Sequence, residues 1–319
     1  MLKYKILFVL FALVFLVGCS NFGGSSFLKK DNVEVDEIDP FKGNKGLELS
    51  FFEGSPPDDV FQDTNFAVTV EAHNQGALNI ERGTARLGAL SGRFTISGAN
   101  TREFGIIRGK QNFPDIGDRE VIEWDNINAK RTSVRSDTRQ SVNVQVCYEG
   151  NIEANPEACV RPRPGSDGII EGECDVGKES FSGGHGGPIA VTSITDTIVK
   201  QSDSTNIIRY AIEFKDVGGG DIINMDEIDN CLLSERDKRD ADVVFDIGWF
   251  GESRSFKCKF AERKDGQLVM RNGKGRILCD SPDVSNLDHY SVPLYIKMNY
   301  GYVKSINTGF TLKKDVFFD

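Results

Sequence analysis

The chain has 319 residues, of which 39% are hydrophobic and 27% charged, and its formal net charge is −10. This length is sufficient for two domains with cores of their own, and the composition is that of a folded globular chain. The acidic balance argues against a body that binds nucleic acid or an anionic membrane surface through clustered lysine and arginine.

The N-terminus has the pattern of a secretory signal peptide. Lys3 and Lys5 precede an apolar run at residues 6–17, which is shorter than the roughly 20 residues that span a bilayer. The run ends in Leu-Val-Gly-Cys at residues 16–19, which resembles a prokaryotic lipobox. This resemblance implies cleavage after residue 18 and lipid attachment at Cys19. The alternative is a short uncleaved anchor with an incidental cysteine.

The segment after the signal peptide is predicted to be a tether. Residues 19–45 begin with glycine and serine, become acidic, and show no period of 2 or 3.6. Such a composition favours a flexible linker. We therefore expect a protein held by its lipid on the extracytoplasmic face of the cell membrane.

The folded part contains a repeated strand. Residues 66–72 alternate between apolar and polar side chains and end in Asn-Gln-Gly, which indicates a strand with one buried face followed by a turn. The same pattern returns 142 residues later at residues 208–214, followed by Asp-Val-Gly. An upstream strand at residues 47–51 has its counterpart at residues 189–191 with the same offset.

Further short strands are expected around residues 86–88, 93–98, 121–124 and 140–148, separated by turn residues. No segment shows a convincing amphipathic helical period, so the pattern predicts an all-β protein. We expect two tandem immunoglobulin-like antiparallel sandwiches at residues 46–165 and 189–319. The segment between them, residues 166–188, ends in a glycine-rich stretch predicted to act as a hinge.

Seven cysteines are present. Without Cys19 an even number is left, which behind an export signal predicts disulfides: Cys147, Cys159, Cys174, Cys231, Cys258 and Cys279. Three lie in or just after the first domain and three in the second, so full pairing requires at least one bridge between the groups. Our preferred pairing is Cys147–Cys159, Cys174–Cys231 and Cys258–Cys279. The competing assignment joins Cys159 to Cys174 and sends Cys147 elsewhere.

Several of these motifs together resemble a known family. Each repeated strand ends in Asn-x-Gly or Asp-x-Gly, and a late Val-x-Leu-x-Ile strand at residues 292–296 precedes Tyr-Gly-Tyr at residues 300–302. This combination resembles CARDB-type immunoglobulin-like domains, and residues 183–192 look like the junction in archaeal lipoproteins with two such domains. The resemblance spans residues 46–319 and implies a sandwich used for adhesion or spacing. Six cysteines are not general to CARDB domains.

The sequence offers few side chains for catalysis. The three histidines, His73, His185 and His289, are scattered, and neither H-E-x-x-H nor G-x-S-x-G occurs. The paired short cysteine spacings of a zinc site are missing as well. An acidic group around Asp226 invites a calcium site, but a solvated loop is preferred. Trp124 and Trp249 are predicted to be core anchors.

We accordingly expect a non-catalytic binding, adhesion or spacer module without a metal or cofactor. Its partners would be the membrane, through the lipid, and an unidentified protein or glycan at the cell surface. The alternatives are an exported hydrolase that uses an unrecognised carboxylate pair and a subunit of a cell-envelope complex. A hydrolase would need two carboxylates about 5–10 Å apart in a cleft.

Overall fold

The computed structural model describes residues 39–88, 90–112, 115–132, 136–160, 174, 178–232, 240–251, 256–259 and 266–314. The predicted signal peptide, Cys19 and the tether up to residue 38 lie outside these ranges, as do residues 161–173. No helix in the described part has the length and apolar character needed to cross a membrane.

The described residues form strands and one 3-10 turn, Met225–Glu227. The strands of the first half are β1 Leu47–Phe51, β2 Asp59–Val60, β3 Thr64–Asn74, β4 Arg82–Gly88, β5 Phe94–Ile96, β6 Thr101–Phe104, β7 Arg119–Ala129, β8 Thr138–Ala154 and β9 Glu157–Val160. Those of the second half are β10 Lys178–Ser180, β11 Ile189–Lys200, β12 Asn206–Asp216, β13 Asp221–Ile223, β14 Asp240–Trp249, β15 Lys257–Lys259, β16 Gln267–Arg271, β17 Lys274–Asp280 and β18 Tyr290–Leu312. The predicted all-β class is confirmed.

The repeated strand of the sequence is a strand in both halves. In β3, every second residue from Phe66 to Ala72 is buried, and the residues between them are partly exposed. The same alternation buries Ile208, Tyr210, Ile212 and Phe214 on β12. A period of two therefore selects the core face in each repeat.

Two sheets face each other in the first half. One has the order β1-β3-β7-β5, and in the other β4 lies between β6 and β8. Their inner faces share one hydrophobic core, in which Trp124 of β7 is fully buried as predicted. The aromatic rings of Phe66 on β3 and Phe94 on β5 pack at 5.8 Å between centroids.

The second half repeats this pairing pattern strand by strand. β12 lies between β11 and β17, and β15 adds to β17. β14 lies between β16 and β18. In the core of this half, Trp249 is 2% exposed, as its predicted anchor role requires. The Asn-Gly turn at residues 272–273 connects β16, of the β16-β14-β18 group, to β17, of the β11-β12-β17-β15 group. Between β16 and β17 only Arg271 and Lys274 pair.

The strand register is also preserved between the halves over its first three pairs, before a bulge between Val191 and Ser193 shifts the second copy by one residue. On the edge strand of the first half, Leu47 pairs with Asn74. In the second half Ile189 pairs with Asp216, and each of these two residues comes 142 positions after its counterpart. The offset seen in the sequence is therefore the offset of the hydrogen-bonded register, as expected for two copies of one supersecondary unit.

The final strand joins the two halves. All 17 residues of β8 pair with β18, from Thr138 opposite Leu312 to Ala154 opposite Ile296. The far end of β18 continues into the first core, where Phe310 packs against Phe66 at 5.4 Å between ring centroids. Residues Asp39–Asp319 form one compact unit. The domain division at 46–165 and 189–319 stays a prediction, and β18 contributes to the packing of both halves.

The glycine segment, residues 183–188, is held in place by backbone hydrogen bonds to both halves. The N–H of Ala77 donates to Gly186 O at 2.6 Å, and the N–H of Val217 donates to Pro188 O at 2.8 Å. Gly186 has φ +67°, and a Cβ there would lie 2.6 Å from Pro40 O. The prediction of a hinge is wrong for this segment, because close backbone contacts require its glycines.

Candidate functional site

A polar cavity opens beside the turn that ends the second copy of the repeated strand. It has a volume of about 580 Å³ and is lined by residues of two turns, 215–222 and 272–274. Lys215, Asp216, Asp221 and Lys274 supply charged groups of both signs to its wall. Such a lining suits a small polar ligand better than an apolar one.

Asp216 organises one side of this cavity. Its Oδ1 accepts a hydrogen bond from the Gly218 N–H at 3.0 Å and another from the Tyr302 hydroxyl at 2.8 Å. The Tyr302 oxygen in turn accepts from the Gly220 N–H at 2.8 Å. Burial raises the pKa of the Asp216 carboxyl, and the negative charge of Asp221 adds to this rise.

The equivalent position in the first repeat shows which part of this geometry is structural. Asn74 Oδ1 accepts the Gly76 N–H at 3.0 Å, as Asp216 accepts that of Gly218. The Asn74 amide also donates to Leu78 O and Ile107 O, each at 2.9 Å. Because an amide fulfils the turn-forming role as well as a carboxylate, the Asp216 turn contact is not by itself a sign of catalysis.

Three tyrosines lie beside the glycine segment and the cavity. Tyr148, Tyr300 and Tyr302 are each at most 2% exposed. Burial raises the pKa of all three phenols, and the charge of Asp216 raises that of Tyr302 further. These phenols therefore stay neutral at physiological pH, and in that form they can donate hydrogen bonds while their rings pack in the interior.

The acidic loop, residues 224–231, is used to connect the halves. Arg82 of β4 forms ion pairs with Glu149 and with Asp229 of this loop, and the Arg86 guanidinium donates to Asn230 O at 3.0 Å. Within the described residues, the loop carboxylates do not converge as a cluster of three or more metal-ligating groups. Calcium binding by this loop stays an untested alternative.

The cysteine sulfurs lie at disulfide distance in three pairs. Cys258 pairs with Cys279 across β15 and β17, which confirms that prediction. The other two are Cys147–Cys231, with Cα atoms 5.6 Å apart, and Cys159–Cys174, at 5.5 Å. The preferred Cys147–Cys159 and Cys174–Cys231 bridges are therefore wrong, and the competing Cys159–Cys174 assignment is confirmed.

The reason for this error lies in β8 and β9. The Cys147–Cys159 pairing needed a hairpin between the two cysteines, with Gly150 or Asn155-Pro156 as turn material. β8 instead continues through Gly150 to Ala154. β9 then pairs with β18, where Cys159 lies opposite Ser291. Cys147 faces away from the main core, and the acidic loop covers it in a small second cluster with Cys231, Ile223, Ile228 and Val303.

The three histidines occupy separate environments. A ring nitrogen of His73 lies 2.8 Å from Ile116 O near the end of β3. Burial lowers the pKa of His185 in the glycine segment. His289 lies beside Cys159 and Cys174, and among the described residues these three form the only convergent group of potential metal ligands. While the two sulfurs are bonded to each other, neither is the thiolate that zinc requires.

No family model matches the chain, and no curated protein matches it either. The class that the fold defines is an antiparallel β-sandwich protein with cysteine pairs at disulfide distance.

Proposed function

We propose that the protein is a lipid-anchored extracytoplasmic module that binds or spaces partners at the cell surface without catalysis. The observation that carries this proposal is the pairing of all six cysteines that follow Cys19. Disulfides persist in oxidising compartments and are rare in reducing ones. Together with the signal-like N-terminus, they support a location of the mature chain outside the cytoplasm.

A rigid connection between the repeats supports a spacer or presenting role. The halves share the β8–β18 ladder, the Cys147–Cys231 disulfide and the hydrogen bonds of the glycine segment. These three independent connections oppose bending between the halves. In this proposal the likeness to CARDB-type modules supplies the role in adhesion or spacing, with a protein or glycan as partner.

The N-terminus provides the test. We expect the full-length chain, expressed with its own leader in a prokaryotic host, to be recovered in membranes. The intact mass of its N-terminal peptide should correspond to a chain that begins at Cys19 and carries acyl groups. The Cys19→Ser variant should lack the acyl mass and be released or left unprocessed. A wild-type mature chain that begins elsewhere and carries no lipid would overturn the anchor.

A hydrolase acting at the polar cavity is the second candidate, because Asp216 and Asp221 both line it. Most glycoside hydrolases use a pair of carboxylates in a cleft as their catalytic groups. The two candidates separate through Asp216→Asn, which removes a carboxylate but keeps the turn contact seen at Asn74. Loss of a measured hydrolytic activity in this variant would favour the enzyme, and unchanged capture of a surface partner by crosslinking would favour the binding module.

A further inference from the structure

One of the three disulfides has an imidazole beside it. β9 pairs with the start of β18, so Cys159 lies opposite Ser291, and His289 comes two residues before Ser291. His289 lies in the bend just before β18 begins at Tyr290. Its Nε2 lies 3.3 Å from Cys159 Sγ and 3.1 Å from the carbonyl oxygen of Cys174.

The two sulfurs of this bridge differ in their surroundings. Cys159 is 3% exposed, whereas Cys174 is only partly buried. A thiol arriving from solvent therefore reaches the Cys174 side more readily. The Cys147–Cys231 bridge has no such access, because both of its residues are fully buried. Cys258 is partly exposed like Cys174, but among the described residues the convergence of two sulfurs with an imidazole occurs only at Cys159, Cys174 and His289.

We propose that Cys159–Cys174 is an exchangeable disulfide that reacts with extracytoplasmic thiols, and that His289 assists by stabilising the departing Cys159 sulfur. The incoming thiolate attacks Cys174 Sγ, a new sulfur–sulfur bond forms there, and the Cys159–Cys174 bond breaks. The electron pair of the broken bond leaves with Cys159 Sγ as a thiolate, which the His289 N–H meets as a hydrogen-bond donor. A second thiol then attacks the mixed disulfide on Cys174.

The overall change balances as two electrons and two protons. Two low-molecular-weight thiols are oxidised to one disulfide, and Cys159 and Cys174 become two thiols. His289 acts on the rate because exchange is faster when the leaving thiolate is better stabilised, and a neighbouring hydrogen-bond donor provides that stabilisation. His289 is a positioning and stabilising residue in this step and forms no covalent bond.

The experiment follows all three disulfides in the same molecule. The purified full-length lipoprotein in detergent is exposed to glutathione and quenched at intervals. Isotope-coded alkylation and peptide mass spectrometry then give a rate for each bridge and the site of any mixed disulfide. We expect the Cys159–Cys174 bridge to open first, with glutathione on Cys174. His289→Phe should slow this bridge by about tenfold, the effect of losing one hydrogen bond to a charged group.

Two variants give the controls. His289→Gln keeps an N–H donor and should restore most of the rate, whereas His73→Phe, in the other half of the chain, should leave all three rates unchanged. A merely structural His289 predicts the opposite, since its loss would loosen the site and speed the opening of the bridge. Glutathione on Cys159, equal rates for the three bridges in the wild type, or an unchanged rate in His289→Phe would each overturn the proposal.

If His289→Phe fails to fold, all three bridges will open faster in it. The wild-type order of opening and the position of glutathione then test the exchange at Cys174. The rate of the Cys159–Cys174 bridge in His289→Gln then tests the donor role of His289, and a rate far below that of the wild type in a folded His289→Gln variant would contradict that role.

Discussion

Asp216 carries a carboxylate at a position where the first repeat has Asn74. Its pKa is raised by burial above the ordinary 3.8, so the folded state favours the neutral form. The stability that this neutral carboxyl contributes is fully present below pH 3.8 and is lost as the pH rises through the raised pKa. At neutral pH the carboxylate is therefore an unfavourable group in the fold, retained by two hydrogen bonds.

We expect Asp216→Asn to stabilise the protein at pH 7 by up to about 1 kcal/mol, because the amide oxygen keeps the acceptor role and the charge is removed. The reverse change, Asn74→Asp, is the matched control. It removes two buried donors and adds a charge at a residue 1% exposed, and should destabilise by about 3 kcal/mol. Urea unfolding measures both. A destabilised Asp216→Asn variant would show that the cavity needs the charge.

The lowered pKa of His185 leads us to expect a loss of folding stability in mild acid. Burial lowers its pKa below the ordinary 6.5, so the folded state favours the neutral ring. The stability associated with the neutral ring is present above pH 6.5 and is lost as the pH falls through the lowered pKa. His185→Gln should therefore flatten the decline of unfolding free energy as the pH falls below about 6.5. His73→Gln is the control, and an equal flattening in both variants would contradict the assignment to His185.

At the scale of elements, the acidic loop is bound to the first half by one covalent bond and several polar contacts. The Cys147–Cys231 bridge closes 84 residues of chain, and the Cys258–Cys279 bridge closes 21. In the chain-entropy model, which is disputed, a longer closed loop gives a larger stabilisation. The Cys147–Cys231 bridge should accordingly be the more stabilising of the two.

We expect the double variant Cys147→Ala/Cys231→Ala to lose about 4–5 kcal/mol and Cys258→Ala/Cys279→Ala to lose about 3 kcal/mol. Alanine is chosen because both residues of the first pair are fully buried, where a serine hydroxyl would lack a partner. Denaturant titration under oxidising conditions provides the measurement. A smaller loss of stability in Cys147→Ala/Cys231→Ala than in Cys258→Ala/Cys279→Ala would show that the Cys147–Cys231 bridge does not restrict the unfolded chain as the chain-entropy model requires.

At the scale of the whole molecule, β18 makes the two repeats interdependent. It pairs with β14 of the second half and with β8 of the first, and its Phe310 lies in the first core. Removing either half therefore leaves the other without part of its sheet. Elements that share a strand in this way are expected to unfold cooperatively.

The two tryptophans allow a direct test of this cooperativity, since Trp124 lies on β7 of the first half and Trp249 on β14 of the second. The Trp249→Phe variant reports on the first half and the Trp124→Phe variant on the second. In each variant, Phe310→Ala should reduce the unfolding free energy by about 3–5 kcal/mol. The denaturant midpoint of the remaining tryptophan signal should fall accordingly. If Phe310→Ala leaves the denaturant midpoint of the Trp249 signal unchanged, the halves unfold separately.

The sequence by itself determined the faces of the strands, the duplication and its register. Alternation with a period of two is a local property of the sequence, and it puts the apolar residues of a strand on its buried face. It also indicated core positions for both tryptophans and a bridge between Cys258 and Cys279. Only the tertiary structure decided that β8 pairs with β18, that Cys147 meets Cys231, and that His289 lies beside Cys159. Residues far apart in the chain are brought together by long-range pairing, and alternating strands such as β8 and β18 are each compatible with several neighbours. The glycine segment shows the same limit, since a glycine permits both a hinge and a close backbone contact, and its packing partners determine which one forms.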